Sequence, residues 1–365
     1  MQTNEAIKSK ARRAVLRVAK AAGVFALSRW LTRKGLRILC YHGIWLDEGH
    51  YSNFLFMSAA KFKRRIELIN KWCIPVIGLD EAVRALHAGT LPPRATVITI
   101  DDGWFGTFRV MVPELVAHGL PATIYLTSFY AEKQLPVFGV ALDYVLSRAQ
   151  FDYLDLDGLG ENLSGRYPLG SAEERECVAD RLEEHARKLD STEAFCLLEQ
   201  LAAQLGIDFQ PLVQRRIFHL MSLQEIMQSA QQGIDIQLHT HHHRFPLGDS
   251  ALLRQEIEEN RTVLAPLTGR PLNHFCYPSG VWSEAAFPAL RSMGIQSAVT
   301  TEQGINFSPE TTLKLRRISD GEYVDEIEFE AELSGFAEIV RQVRHAFRRR
   351  PQPGDEPGTL RAVSH

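Results

Sequence analysis

The chain has 365 residues, of which 45% are hydrophobic and 23% are charged, a composition that is ordinary for a globular protein. Its length suits one large α/β domain with insertions, or two domains. The net charge of −3 gives no support to nucleic-acid binding. Five scattered cysteines without a CxxC pair argue against a disulfide framework or a thiolate zinc site.

The first 34 residues predict a basic amphipathic helix. Basic side chains interleave with apolar ones up to Lys20, and the apolar stretch from Ala21 to Leu27 is short and contains Gly23. No stretch reaches the ~18–20 apolar residues that a membrane span needs, and no clear cleavage site of a signal peptide follows. Such a helix lies on an anionic membrane surface or packs on the domain. We therefore expect a cytoplasmic protein, with peripheral contact to the inner membrane as one of these two alternatives.

Six short runs of β-type residues follow, and helical patterns lie between most of them. This alternation predicts a mostly parallel sheet or barrel within residues 35–335. A charged, largely helical segment at about 132–220 interrupts the alternation and is interpreted as an insertion. A basic helix is predicted at 336–350 and a disordered tail rich in Pro and Gly at 351–365. The six runs cover residues 38–41, 97–100, 122–126, 234–238, 275–277 and 297–300.

Polar residues follow several of these runs directly. Asp101-Asp102 ends the second run, Tyr41-His42 the first, and Pro278-Ser279-Gly280 the fifth. The carboxyl ends of parallel strands converge on one rim, so we expect these side chains to share a site. Two adjacent buried carboxylates need a cation, a shared proton, or separate partners.

The fourth run leads into the segment His239-Thr240-His241-His242-His243. In an extended chain His239, His241 and His243 point the same way, whereas a helical turn brings His239 and His243 together. Either pairing could bind a metal. Two imidazoles and one carboxylate leave an open coordination position, which is the pattern of a catalytic zinc site.

Three segments together resemble the NodB-type polysaccharide deacetylases, carbohydrate esterase family 4. Thr99 to Gly103 is similar to the first motif of that family, with Ile100 where Phe is usual. His239 to His243 matches the second motif, and Phe275 to Gly280 resembles a variant of the third. The resemblance spans about Arg37 to Ile318 and implies a distorted (β/α)7-type barrel. The implied activity is removal of N-acetyl or O-acetyl groups from a carbohydrate, in polysaccharide or glycoconjugate biosynthesis.

The resemblance also implies roles for individual residues. Asp102, His239 and His243 would hold a divalent metal, most often Zn²⁺. Asp101 would be the general base, and the backbone N–H of Ser279 would stabilise the oxyanion. Tyr277, in the same motif as Ser279, is counted with the substrate-side residues. Trp104, directly after the first motif, is expected to form an apolar wall for a sugar ring.

Two departures from the family pattern lead to further expectations. The C-terminal Leu-x-His motif that supplies a general acid is missing. However, residues 38–42 resemble the first strand of a permuted subgroup, the poly-N-acetylglucosamine deacetylases, and His42 is therefore the expected acid. Cys276 stands where many members have Arg, and Arg317 is expected to supply that cation to Asp101.

Two alternatives stay open. An amidohydrolase-type barrel would use His239 and His241, although such enzymes place that pair well upstream of the Asp. A degenerate, non-catalytic member of the same fold would bind glycan or act as a scaffold.

Overall fold

The computed structural model describes residues 2–47, 53–160 and 163–348. The chain divides into two compact units, one formed by residues 34–323 and the other by residues 1–33 together with 324–365. The predicted tail at 351–365 and the last two residues of the predicted C-terminal helix lie outside the described residues.

Eleven strands and fifteen α-helices are formed by the described residues. The strands are β1 (Arg37–Tyr41), β2 (Gly43–Ile44), β3 (Phe56–Met57), β4 (Thr96–Asp102), β5 (Thr123–Leu126), β6 (Tyr153–Asp155), β7 (Arg166–Pro168), β8 (Asp235–Leu238), β9 (His274–Cys276), β10 (Ser297–Gln303) and β11 (Leu315–Ser319). The helices are α1 (Gln2–Ala21), α2 (Val24–Leu31), α3 (Ala59–Lys71), α4 (Leu79–Ala88), α5 (Val112–Ala117), α6 (Phe129–Lys133), α7 (Phe138–Ser147), α8 (Ala172–Ala186), α9 (Ser191–Gln204), α10 (Gln210–Gln214), α11 (Leu223–Gln231), α12 (Ser250–Thr268), α13 (Phe287–Ser292), α14 (Glu326–Leu333) and α15 (Phe336–Arg348).

Seven parallel strands of the larger unit close into a barrel. Their order is β1, β11, β10, β9, β8, β5 and β4, and β4 pairs with β1 to complete the circle. This confirms the predicted (β/α)7-type barrel. All seven residues of β4 are buried, as expected for a strand covered on both faces. Its pairing with β5 continues to the register Asp102↔Leu126, so both carboxylates of β4 belong to the last paired positions of the strand.

The seventh barrel strand, β11, was not among the six predicted runs. Its sequence contains Arg316-Arg317, which interrupts the apolar pattern by which the other strands were identified. The two side chains point in opposite directions: Arg316 is exposed, and Arg317 is buried. Alternation of side chains along a strand explains why one arginine reaches solvent while its neighbour enters the barrel.

The insertion is largely helical, as predicted. Helices α7 to α10 pack through their leucines, among them Leu142, Leu182 and Leu201. The same core includes three aromatic residues from outside the insertion: Trp45, Phe56 and Trp104. The Gly-rich acidic stretch that precedes α8 contains an antiparallel hairpin of β6 and β7.

The smaller unit consists of α1, α2, α14 and α15. Gly23, with φ of 77°, divides the predicted single N-terminal helix into α1 and α2. Leu16 and Phe25 pack against Ile327 and Ala331. Helix α14, which the sequence pattern included in the barrel domain up to residue 335, therefore belongs with the terminal helices. Among the described residues, no helix is both long and apolar enough to cross a bilayer.

Candidate active site

Asp102 and two histidines converge at the mouth of the barrel. Asp102 ends β4, and its Oδ1 lies 3.3 Å from Nε2 of His239 and 3.4 Å from Nε2 of His243. One ligand atom from each of the three residues lies within 4.8 Å of the other two. The two imidazole rings are 4.8 Å apart between centroids. Two nitrogens and one carboxylate oxygen in this arrangement are a donor set that zinc accepts.

The backbone turns sharply to bring the two histidines together. Thr240 and His243 have positive φ, 62° and 56°, so the chain leaves the extended conformation directly after His239. Thr240 stabilises this turn, because its hydroxyl accepts a hydrogen bond from the Arg244 amide at 3.1 Å. Of the two pairings left open by the sequence, the structure forms the one between His239 and His243.

Neighbouring groups orient the metal-binding atoms. The carbonyl of Cys276 accepts a hydrogen bond from His239 Nδ1 at 2.8 Å, which leaves the Nε2 lone pair free for a cation. Trp104 Nε1 donates to Oδ2 of Asp102 at 2.8 Å and leaves Oδ1 facing the imidazoles. Burial by itself would raise the pKa of Asp102, but the hydrogen bond from His239 and the nearby imidazoles lower it well below its usual range. The residues present therefore fit a divalent cation.

Asp101 is buried and faces a different set of partners. Both of its oxygens accept hydrogen bonds from the Arg317 guanidinium, each at 2.7 Å. Arg317 is in turn fixed by donating from Nε to the Thr300 carbonyl at 2.8 Å. Burial would raise the pKa of Asp101, but the charge and hydrogen bonds of Arg317 outweigh it and lower the pKa. Asp101 is therefore held as a carboxylate, separate from the Asp102 cluster.

His42 and two cysteines complete the surroundings of Asp101. His42 Nε2 lies 3.7 Å from Oδ2 of Asp101, and its side chain is 21% exposed, so a substrate can reach the ring. The thiol of Cys276 is 3.4 Å and that of Cys40 is 3.8 Å from the same oxygen. Sequence reasoning gave neither thiol a contact with the carboxylate. The sequence spacing did contain a sign of the Cys40 contact. Cys40 lies on β1 two residues before His42, and side chains two residues apart in an extended chain point the same way.

The predicted substrate-side residues occupy different environments. Ser279 is exposed and has φ of 55°, in a turn that follows β9. Tyr277 is buried, and its hydroxyl donates to the Leu313 carbonyl at 2.8 Å. Trp104 is also buried, with its ring 4.9 Å from that of Phe56. Within the third motif-like segment, residues 275–280, Ser279 is the residue that is exposed.

An exposed aromatic ring lies beside His42. Phe54 is 77% exposed, and its ring stands edge-on to His42 at 6.4 Å between centroids. An exposed aromatic ring at this place offers an apolar face next to polar groups, and sugar rings pack on such faces. The sequence analysis assigned no role to Phe54, because nothing in the local sequence indicates which side chains it meets.

Comparison with known proteins gives a family match over part of the chain and a shared fold. Residues 166–298 match the family model described as polysaccharide deacetylase. The matched segment contains His239, His243 and Ser279, whereas Asp101 and Asp102 lie before it. No curated protein sequence matches the chain significantly.

Several solved structures share the fold at low sequence identity. The chain is similar to the Streptococcus pyogenes deacetylase PplD in complex with acetate, with a TM-score of 0.53 and 16% identity over 82% of this chain and 98% of that one. It is similar to IcaB from Ammonifex degensii, with a TM-score of 0.51 and 15% identity over 82% and 97% of the two chains. A polysaccharide deacetylase from Bacillus cereus has a TM-score of 0.50 and 15% identity over 82% and 69%.

Proposed function

We propose that this chain belongs to the polysaccharide deacetylase family and is a metal-dependent hydrolase that removes N-acetyl or O-acetyl groups from a carbohydrate. The observation that carries the proposal is the convergence of Asp102, His239 and His243 beside a second carboxylate, Asp101, that has its own cation. A metal site and an independent base are the two parts that hydrolysis of an amide or ester requires.

Asp102, His239 and His243 would hold the ion, and their nitrogen and oxygen donors favour zinc. A divalent cation at this place lowers the pKa of water and polarises the carbonyl of the acetyl group. His239 and Asp102 need little reorganisation to bind it. The Cys276 carbonyl fixes Nδ1 of His239, and the Trp104 indole fixes Oδ2 of Asp102, so that the other nitrogen and oxygen are already oriented for an ion.

Asp101 would act as general base. Arg317 keeps it ionised, and an ionised carboxylate can accept the proton of the attacking water. The backbone N–H of Ser279, at the exposed turn after β9, would donate to the oxyanion that develops on the acetyl oxygen. The buried Tyr277 would support this turn from below, because its ring packs against Phe275 and its hydroxyl is fixed by Leu313.

His42 would protonate the leaving nitrogen or oxygen. Its ring is reachable from solvent, and its Nε2 lies 3.7 Å from Oδ2 of Asp101. The acid therefore comes from the end of β1, which pairs with β4 and so brings His42 to the rim where Asp101 lies. Phe54 beside it would offer the apolar face on which a sugar ring packs.

Acetate release from acetylated oligosaccharides tests this function. We expect activity that is lost on chelation and restored by zinc. Asp102→Asn should lose turnover and the ion held by Asp102, His239 and His243, whereas Asp101→Asn should lose turnover with that ion retained. Asp235→Asn, at the opposite end of β8, is the control and should change neither. Normal turnover in Asp101→Asn would contradict the assigned base.

The non-catalytic alternative makes a different prediction from the same samples. A scaffold protein would release no acetate from any amide or ester substrate and would lose no thermal stability on chelation. The intact set of three metal-binding residues favours the enzyme.

We also propose that the smaller unit binds an anionic membrane surface, which would present lipid-linked or nascent polysaccharide to the enzyme. The surface we assign to this contact is α2, which exposes Leu27, Trp30 and Leu31 on one side. Helix α1 is less suited, because its basic residues form ion pairs with acidic residues of α14, such as Lys20 with Glu330 at 2.6 Å. Amphipathic helices with an exposed Trp and Leu face insert at the headgroup boundary.

A further inference from the structure

A second group of possible metal ligands combines two residues of the histidine segment, residues 239–243, with one residue of α12. His241, His242 and Glu259 each offer one ligand atom, and the three atoms lie within 4.8 Å of one another. Tetrahedral ligands around zinc at 2.0–2.1 Å are ~3.4 Å apart, so small rotations of these half-exposed side chains would suffice. We propose that His241, His242 and Glu259 form a second metal site, distinct from the one at Asp102, that takes zinc or a similar divalent ion.

The two imidazoles are already oriented for this role. His242 Nδ1 lies 3.0 Å from a carboxylate oxygen of Glu256, and His241 Nδ1 lies 2.8 Å from the hydroxyl of Ser128. A metal-binding histidine typically has its other ring nitrogen bonded to a carboxylate or hydroxyl in this way. These contacts leave the Nε2 atom of each ring for a metal, and the rings meet edge to face with centroids 4.4 Å apart.

The charges around the cluster favour a cation. Glu132 and Glu256 lie close enough to His241 to act on it electrostatically, in addition to Glu259. Among the neighbouring cations, Arg244 acts on Glu256. A divalent ion would therefore enter a site whose ligands and neighbours carry several negative charges, which offsets the loss of its hydration.

The position of the cluster suggests what the ion would do. The His241 carbonyl accepts from the Phe129 amide of α6 at 2.9 Å, and the His241 amide donates to the Glu256 carbonyl of α12 at 3.0 Å. An ion bound by His241, His242 and Glu259 would fasten the histidine segment to α12. The same segment carries His239 and His243. The second ion would therefore hold in place the turn on which the first site depends.

Zinc content of tag-free protein tests the proposal. We expect two zinc ions per chain in the wild type, one in Glu259→Gln, one in Asp102→Asn and none in the double variant. Glu258→Gln is the matched control on α12, because Glu258 pairs with Arg261 at 2.6 Å, and it should keep two ions. In the Asp102→Asn background, chelation should lower Tm, and this effect should vanish when Glu259→Gln is added.

One zinc ion in the wild type, with unchanged content in Glu259→Gln, would overturn the proposal. Complete loss of zinc in Asp102→Asn would also overturn it. Neither readout uses acetate release, so failure of the second metal site and failure of the proposed activity are distinguishable.

Discussion

The buried ion pair of Asp101 and Arg317 allows a sharp test of how the proposed base is kept ionised. Arg317→Met preserves much of the side-chain volume and removes the cation. Asp101 then stays buried beside two thiols with neither of its hydrogen bonds to the guanidinium, which were 2.7 Å long. Breaking a buried pair by removing one partner costs about 3–5 kcal/mol of folding free energy.

The effect on the carboxylate follows from the same geometry. Charge centres in a bidentate pair lie about 4 Å apart, and at an effective dielectric constant of about 20 their attraction is about 4 kcal/mol. Loss of this attraction raises the pKa of Asp101, and water that enters the site restores part of the loss; about 1.4 kcal/mol corresponds to a tenfold change in a protonation equilibrium. We therefore expect the acidic limb of the pH–rate profile to move upward by about 2–3 units, because a protonated Asp101 cannot accept a proton.

A matched control is available in the same unit. Arg65 on α3 forms a buried pair with Asp320, with distances of 2.7 and 3.1 Å, and neither belongs to the candidate site. Arg65→Met should lose a similar amount of stability in urea unfolding while its pH–rate profile stays where the wild type has it.

A double-mutant cycle completes the measurement. The double variant, Asp101→Asn with Arg317→Met, contains no unpaired charge. Its loss of unfolding free energy should be smaller than the sum of the two single losses by ~2 kcal/mol or more. If Arg317→Met unfolds within ~1 kcal/mol of the wild type and keeps its pH–rate profile, the ion pair does not control the base and the reasoning is wrong.

Other parts of the structure make further predictions. Burial lowers the pKa of His274 to about 4 and that of His219 to about 4. Both pKa values in the folded protein lie below the unfolded value of ~6.5, so the unfolded chain binds protons first as the pH falls. The free energy of unfolding is therefore highest above pH 6.5 and falls between pH 6.5 and 4, by about 3 kcal/mol for each histidine. Urea unfolding of chelated protein between pH 7 and 4 measures this, and a flat profile would contradict it. Phe54→Ala should raise KM for oligosaccharides about tenfold with kcat little changed, in steady-state kinetics; an unchanged KM removes Phe54 from the sugar site. Trp30→Ser should weaken binding to phosphatidylglycerol vesicles about tenfold in co-sedimentation, and equal binding would rule out α2 as the contact. Gly280→Ala should lower kcat at least tenfold with zinc content unchanged, because its Cβ would meet Thr301 Oγ1 at 2.1 Å and displace the Ser279 turn; normal kcat would show that this turn is not used.

The barrel could be predicted largely from the sequence because its strands are apolar and covered on both faces. The second run predicted 97–100, and the strand extends from Thr96 to Asp102. The carboxylates therefore continue the strand that they were expected to end. β11 escaped prediction because Arg317, a charged residue inside the barrel, is acceptable only through a partner that lies 216 residues away.

The site was predictable in its residue types and less so in its orientations. The pairing of His239 with His243 depends on positive φ at Thr240 and His243, and residues other than glycine give no local sign of that conformation. Trp104 was expected to face a sugar, but it is buried, and its indole N–H donates a hydrogen bond to Asp102. Side-chain direction at the rim is set by such tertiary partners, which sequence spacing does not specify.

The closure of the barrel by β11 has a consequence for how the protein is made. During synthesis β4 emerges long before β11, so Asp101 exists for most of translation without Arg317. A barrel that closed without β11 would bury the Asp101 carboxylate without its arginine. The free-energy cost of burying an unpaired charge disfavours such early closure. The arginine therefore makes completion of the candidate site coincide with completion of the fold. Nascent chains that end before residue 315 should have an open barrel and lack the proposed activity.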